Sequence, residues 1–299
     1  LVHYRHVMRL LHFVRNDNVG IMQSSRLGIV LSPSCFRSFN MGRISASMDN
    51  LGRMVIRNVE ETGKILILFL SILSWMIRPP LKLRNIFKQM EFVGVKSIFV
   101  VVLTGTFTGM VMALQGYYGF RMFSAESLVG STVALGMTRE LGPVLTSLMV
   151  TARAGSAMAA ELGTMRVTEQ IDALYVMAAN PVKHLIVPRV IAGVLMVPAL
   201  TIVADFMGIL GGYFVGVPIL NINKGAFVKN ITKMVDLDDV FNGLIKAACF
   251  GLILSLVGCY KGFNTTGGAE GVGKATTEAV VLASISILVS DYFLTAIMF

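Results

Sequence analysis

Ionisable side chains interrupt otherwise apolar stretches of the sequence at a few positions, and these residues could carry chemistry. They are Arg139, Glu140, Arg153, Glu161, Asp205, Lys246 and Asp291. A charge removed from water needs an opposite charge or a polar cavity beside it. The adjacent pair Arg139 and Glu140 fits the mouth of a cavity or the polar edge of an apolar layer, and the sequence leaves both open. Arg153 and Glu161 share one helical face, which predicts structural pairs with other helices rather than contacts to a substrate.

The remaining three charges are also predicted to be structural. Asp205 and Lys246 have opposite signs in different apolar stretches, so they are predicted to pair with each other. Asp291 is predicted to form an ion pair as well. No spacing resembles a hydrolase triad or a paired-carboxylate site. The chain has 4 His and 3 Cys without a CxxC, so neither a metal site nor a disulfide framework is predicted.

A glycine-rich segment nearly matches the phosphate-binding motif GxxxxGK[ST]. It runs from Gly268 to Lys274, but Ala275 stands where the motif needs a magnesium-binding hydroxyl. An apolar stretch precedes it where a β-strand is required. The segment is therefore predicted to be a flexible loop, and the chain is predicted not to hydrolyse ATP itself.

The composition identifies the class of protein. Of the 299 residues, 55% are hydrophobic and 14% are charged, with a mean hydropathy of +0.72, whereas soluble domains are about 25% charged. Apolar runs of about twenty residues predict membrane-spanning helices rather than the short alternating segments of a barrel. The net charge of +9 is then typical of cytoplasmic loops, and no nucleic-acid partner is predicted.

The N-terminal part divides into two segments. Residues 1–50 are predicted to be a poorly ordered extension, which is either an Arg-rich targeting peptide or sequence upstream of a true initiator at Met41 or Met48. The second interpretation is favoured. Residues 51–299 form the membrane domain. It begins with a helix over 52–77 whose apolar part is too short to span a bilayer, so the helix is predicted to lie in the interface with Trp75 at headgroup level.

Five spanning helices are predicted after the interfacial helix. Their approximate ranges are 94–116, 141–163 after a semi-polar leg at 124–140, 185–217, 239–260 and 276–299. The distribution of Lys and Arg places the N-terminus and the connections 164–184 and 261–275 in the cytoplasm, and the C-terminus outside. Three lysines in the 218–238 connection are an exception. Glycines four residues apart, in the first and third spans, predict close helix packing, either within one chain or between two copies.

The connection after the second span contains a short amphipathic segment. Thr168 is predicted to cap a helix in which Ile171, Leu174 and Met177 form one apolar stripe, and Asn180-Pro181 ends it. Such a helix either docks a soluble partner or rests on the membrane surface.

These motifs together resemble the MlaE-type ABC permeases. The resemblance rests on the runs Arg139–Pro143, Arg153–Gly163 and Met165–Leu174, and is supported by Leu114–Tyr117, Ala275–Thr277 and the C-terminal run from Asp291. It covers about residues 52–299.

The resemblance implies an all-α integral membrane fold with an N-terminal interfacial helix and five spans. It also implies a homodimer with cytoplasmic ATPase subunits, which bind the ATP and Mg, so no cofactor is expected in this chain. A periplasmic MCE-domain lipid-binding protein is the third expected partner, and the cargo is phospholipid or another hydrophobic lipid. The expected location is the bacterial inner membrane, with the plastid inner envelope as the less favoured alternative.

The resemblance also implies roles for particular residues. The expected ATPase-coupling residues are Thr168, Glu169, Gln170, Asp172 and Leu174, and the expected substrate-binding residues are Leu114, Tyr117, Arg139, Glu140 and Lys246.

Two other functions stay open at this point. One is an ion-coupled secondary transporter that uses Asp205, Lys246 and Asp291, and the other is a membrane scaffold without transport. The ordered series of motifs favours the ABC permease.

Overall fold

The computed structural model describes residues 60–76 and 83–298, and the regular elements in these ranges are all helical. Of the predicted segments, the N-terminal extension 1–50 and both ends of the interfacial helix 52–77 lie outside the described residues.

The helices follow one another with short connections. Helix α1 covers 60–76, α2 Leu83–Val93, α3 Ile98–Arg121, α4 Val129–Gly136, α5 Gly142–Val150, α6 Ser156–Val167, α7 Gln170–Val176, α8 Val187–Gly216, α9 Lys224–Met234, α10 Leu237–Phe263 and α11 Gly268–Met298. Short 3-10 turns, Val95–Ser97 and Glu126–Leu128, precede α3 and α4. Three π turns, Met137–Leu141, Thr151–Gly155 and Val182–Ile186, join α4 to α5, α5 to α6, and lead into α8.

Four helical stretches in the described ranges are long and apolar enough to cross a membrane. They are Leu83–Arg121, Val182–Gly216, Leu237–Phe263 and Gly268–Met298. The remaining predicted span, 141–163, lies in the helical run from α4 to α6, where two π turns divide the helix into short α segments. Its crossing of the bilayer stays a prediction.

Two boundaries differ from the prediction. The helical run that contains 141–163 already begins at Glu126, so most of the semi-polar leg is helix. Helix α11 begins at Gly268 rather than near 276, because Gly267 and Gly268 adopt positive φ and turn the chain directly into the helix. The glycine-rich segment is therefore the first two turns of α11, and its prediction as a flexible loop is wrong.

Helices α3 and α8 pack backbone to backbone through the predicted glycine faces. A Cβ atom added at Gly109 would overlap the carbonyl oxygen of Gly208, and one added at Gly105 would lie 2.8 Å from the Ala204 carbonyl oxygen. Small residues permit this approach, which maximises dispersion contacts where the hydrophobic effect between helices is weak. The predicted glycine contact is thus formed within one chain.

Helices α8 and α10 cross at a second pair of glycines. A Cβ atom at Gly193 would lie 2.7 Å from the carbonyl oxygen of Gly251. Around this crossing lies a core of buried side chains that includes Leu200, Phe250 and Leu254. The crossing fixes the distance between the two helices.

Helix α1 lies against one end of the helix bundle. Ile72 is buried against a cluster contributed by α6, α8 and α10. Lys261 on α10 binds Glu61 on α1 at 3.2 Å and Glu278 on α11 at 3.1 Å. The Lys183 ammonium lies 5.6 Å from the centre of the Trp75 ring, a cation–π contact.

The two ends of the bundle carry different connections. The "α7 end" has α1, α7 and the α10–α11 connection, where Gly163 approaches Thr265. The "far end" has α9, whose Phe227 ring packs on Gly130 of α4. The basic-residue distribution predicts the α7 end to be cytoplasmic.

Candidate functional site

A buried lysine gathers the charged residues of three helical segments in the half of the bundle near the far end. The Lys246 side chain on α10 is 0% exposed. Its Nζ lies 2.9 Å from Glu140 Oε1 and 3.3 Å from Asp291 Oδ1 on α11. It also donates to Thr295 Oγ1 at 2.7 Å and to the carbonyl oxygen of Arg139 at 3.1 Å. The ammonium is thereby compensated by two carboxylates, which a charge at membrane depth requires.

The local sequence explains why the Arg139 carbonyl can accept from a side chain. Pro143 has no N–H and so cannot donate to the carbonyl four residues earlier, which is that of Arg139. The preceding π turn is closed instead by the bond from Gly142 N–H to the Met137 carbonyl. The Arg139 carbonyl oxygen accepts a hydrogen bond from the Lys246 ammonium. Single π turns of this kind occur frequently at functional sites.

Arg139 itself points to another carboxylate. Its Nη2 lies 2.8 Å from Asp239 Oδ1 in the first turn of α10. Asp239 also accepts from the Asp236 backbone N–H in the capping box that begins α10. The Arg139 and Glu140 side chains remain 41% and 38% exposed, so a ligand can reach these two, whereas Lys246 is enclosed.

The predicted pair between Asp205 and Lys246 is wrong, because Lys246 faces Glu140 and Asp291. Among the described residues Asp205 Oδ1 has no hydrogen-bond partner, and the side chain packs on Gly142. The predicted ion pair of Asp291 is confirmed.

The other predicted pairs also form between helical segments. Glu161 binds the buried Arg189 at 2.9 Å. Arg153 donates to the Phe92 carbonyl at 2.9 Å and to Ser97 Oγ at 2.8 Å. Both residues therefore hold helices together, as predicted.

Sequence reasoning missed two members of the cluster. Thr295 lies one turn after Asp291 on the same face of α11, and Asp239 lies two turns before Lys246 on α10. Spacing of three, four or seven residues from a predicted intramembrane charge would have identified both. Each forms a direct contact in the cluster.

Two predicted substrate-binding residues lie on α3. The Tyr117 ring contributes to a cluster of apolar side chains from α3, α4 and α8, with the Arg121 guanidinium 5.9 Å from its centre. Leu114 is exposed on the surface of α3. The structure thus brings Arg139, Glu140 and Lys246 together, whereas Tyr117 packs with the apolar cluster beside α3.

The short helix α7 is bounded by two residues in the left-handed conformation. Glu169 has φ +60° and Ala178 has φ +55°, an unusual conformation for residues with a side chain. The predicted capping role of Thr168 is wrong, because α6 continues to Val167 and the Thr168 hydroxyl donates back to the Thr164 carbonyl at 2.8 Å. Glu169 therefore occupies the position before α7.

The side chains of α7 have three different environments: the core of the bundle, a groove, and the exposed surface. Ile171 is buried, and Asp172 forms an ion pair with Arg166 at the end of α6. Gln170 and Leu174 line a groove of about 540 Å³ between α7 and the start of the π turn before α8. Val176 at the tip is 88% exposed. The predicted stripe is therefore buried only at Ile171, while Met177 stays at the surface.

Comparison with known proteins agrees with these features. Residues 86–297 match the family described as Permease MlaE. The chain is 46% identical over 251 residues to a "Probable ABC transporter permease protein" of Rickettsia bellii, which covers 84% of this chain and 97% of that one.

Two further relatives carry more specific names. The chain is 43% identical over 213 residues to the "Intermembrane phospholipid transport system permease protein MlaE" of Haemophilus influenzae, covering 71% of this chain and 82% of that one. It is 39% identical over 216 residues to the chloroplastic "Protein TRIGALACTOSYLDIACYLGLYCEROL 1" of Arabidopsis thaliana, covering 72% and 62%. With its helical fold and apolar spans, the chain is a multi-pass membrane protein that belongs to the MlaE family of ABC transporter permeases.

Proposed function

We propose that this chain moves phospholipid, or another hydrophobic lipid, between the bacterial inner membrane and a periplasmic MCE-domain carrier, driven by a separate ATPase subunit. The observation that carries the proposal is the polarised arrangement of the chain. The charge cluster around Lys246, with Arg139 and Glu140 exposed, lies toward the far end of the bundle. Helix α7, with the groove beside it, lies at the α7 end.

The charge cluster is proposed to receive the lipid headgroup. Arg139 has a planar guanidinium suited to a phosphate, and it can exchange Asp239 for that phosphate without leaving its position. Lys246 holds Glu140 from the side that the ligand does not reach. Leu114 and Tyr117 would contribute apolar surface for acyl chains, in a cavity completed by a second copy of the chain.

The helix α7 is proposed to be the contact with the ATPase. Its exposed tip and the groove beside Leu174 offer apolar surface in a connection predicted to be cytoplasmic. Ile171 is buried and anchors α7 in the bundle. A displacement of α7 by the ATPase would therefore move α6 and α8 as well. The chain is proposed to depend on this partner for ATP hydrolysis, because Ala275 stands where the phosphate-binding motif needs a hydroxyl.

The first test of the proposal is the composition of the native complex. The chain is purified in mild detergent, and bound proteins and lipids are identified by mass spectrometry. We expect an ABC ATPase, an MCE-domain protein and phospholipid in stoichiometric amounts. A chain without an ATPase, showing ion-dependent uptake after reconstitution, would replace the proposal by the ion-coupled transporter built on Lys246 and Asp291.

The second test addresses the coupling role of α7. The double variant Glu169→Lys and Asp172→Lys should reduce lipid transport while leaving basal ATP hydrolysis by the partner and chain folding intact. The control is the double variant Glu126→Lys and Asp238→Lys, which makes the same change of charge at the far end. Equal transport by both double variants would remove α7 as the coupling element.

A further inference from the structure

An apolar groove runs along the outer wall of the bundle between α1, α8, α10 and α11. It consists of two adjoining cavities of about 250 and 460 Å³, which share Val194 of α8 and Leu252 of α10. The smaller one is walled by α1 through Phe69, Ile72, Leu73 and Met76. The larger one continues toward the far end and is walled by α11 through Ser290, Phe293 and Leu294.

The floor of the groove follows from the glycine crossing of α8 and α10. Gly193 and Gly251 bring the two backbones into contact, and the residues that follow them, Val194 and Leu252, face outward side by side. These two partly buried side chains form the floor of the groove, and α1 and α11 form its walls. The lining is apolar apart from Ser290 and Cys249.

A cation marks the α7 end of the groove. Lys183 precedes α8 and rests on the Trp75 ring of α1. Ile191 in the groove lies eight residues after Lys183, about 12 Å along a helix that rises 1.5 Å per residue. A Trp and a Lys at one level are typical of the membrane interface, so the groove below them lies at acyl-chain depth.

We propose that this groove binds one acyl chain of a membrane phospholipid whose phosphate lies at Lys183. The charge of Lys183 complements the phosphate, and the apolar floor complements the hydrocarbon. An α-helix with its side chains is about 10–12 Å across, which exceeds what a cavity of about 250 Å³ admits, whereas a single polymethylene chain fits. The proposal rests on the membrane location of the chain and not on its proposed transport function.

The test uses the full chain in nanodiscs containing a phospholipid with a photoactivatable diazirine in one acyl chain. After irradiation, mass spectrometry locates the labelled peptides. We expect labelling of the residues around Val194, Leu252 and Phe293 to exceed labelling around Ile202, a membrane-facing residue of α8 that is 53% exposed and lies outside the groove.

Two substitutions that fill the groove sharpen the test. Val194→Trp in the floor and Ser290→Trp in the wall should each abolish the excess labelling, and the matched Ile202→Trp should preserve it. Because two different helices are altered, a folding defect of one variant leaves the other informative. Uniform labelling of groove and control surface would overturn the proposal.

The headgroup part is tested separately with an anionic photoactivatable phosphatidylglycerol. Lys183→Gln should lower the labelling of the groove about fivefold, the effect of one basic residue near an anionic headgroup, and Lys229→Gln on α9 at the far end should not. Crosslinks between two copies through the groove, or occupancy by residues 1–59, would also overturn the proposal. None of these readouts needs ATP, an ATPase or a carrier protein, so failure of the transport proposal leaves them unaffected.

Discussion

At the scale of residues, the contacts of the Lys246 ammonium organise the charge cluster. Pro143 withholds a backbone donor, the Arg139 carbonyl accepts from Lys246, and the same ammonium holds the carboxylates of Glu140 and Asp291. The sequence predicted that each of these charges needs a partner, but the partner it indicated for Lys246, Asp205, was wrong. Asp205 and Asp291 both lie in apolar stretches of sequence. Which of them faces Lys246 depends on the rotation of α8 and α11 about their axes, which the sequence does not show.

Removal of the Lys246 charge should destabilise the chain strongly. Lys246→Met keeps the length of the side chain but leaves Glu140 and Asp291 close together without a cation, which costs about 3–5 kcal/mol when a buried pair loses one partner. We expect a lower midpoint temperature of thermal unfolding in detergent, measured by circular dichroism.

Two further variants test the reason for this loss. Lys274→Met removes a lysine that is 78% exposed and lies 3.9 Å from Glu278, and it should change stability by less than about 0.5 kcal/mol. Lys246→Met combined with Glu140→Gln should recover part of the lost stability. If Lys246→Met were as stable as the parent chain, the ion pairs of Lys246 with Glu140 and Asp291 would contribute nothing to stability.

At the scale of elements, the helices were predictable where the apolar run is long and uniform. The ranges predicted for α8 and α10, 185–217 and 239–260, differ by a few residues from Val187–Gly216 and Leu237–Phe263. The π turns were not predictable, because one extra residue in a turn changes neither hydropathy nor composition. The capping prediction at Thr168 failed for a similar reason, since α6 extends by a few residues more than the motif indicated.

The contact between α3 and α8 can be tested by a matched pair of substitutions in α3. Gly109→Ala places a methyl group on the Gly208 carbonyl and should destabilise the chain by about 1–3 kcal/mol. Gly119→Ala adds the same methyl group where no atom lies within 4 Å, and the higher helix propensity of Ala should stabilise by up to about 1 kcal/mol. Thermal unfolding in detergent measures the stability change of both variants. Changes of the same sign would contradict the close contact between α3 and α8.

The backbone at the end of α7 allows a different substitution. Ala178 has φ +55°, a conformation that glycine adopts without the steric cost of a Cβ atom, so Ala178→Gly should stabilise by about 0.5–1 kcal/mol. Ala179→Gly is the control, because residue 179 has no positive φ and should only lose rigidity. Hydrogen exchange of the α7 amides reports the change locally, and faster exchange in Ala178→Gly would contradict the assignment.

At the scale of the whole molecule, the two ends of the bundle are predicted to face different compartments. Labelling of introduced cysteines tests this in a chain whose Cys35, Cys249 and Cys259 are replaced by Ala. A cysteine at Gly273 at the α7 end should react with a membrane-impermeant maleimide in inside-out vesicles, and one at Lys224 at the far end should react in spheroplasts. The reverse pattern would invert the predicted topology and move α7 away from any cytoplasmic ATPase.

The contact of Lys261 with Glu61 also dictates an order of events during synthesis. The two residues are 200 positions apart, and Glu278, the other partner of Lys261, follows still later. Of the described helices α1 leaves the ribosome first, yet its ion pair with Lys261 can form only after α10 has been made. Until then α1 can be held only by contacts with helices that precede α10, such as the packing of Ile72 on the side chains of α6 and α8.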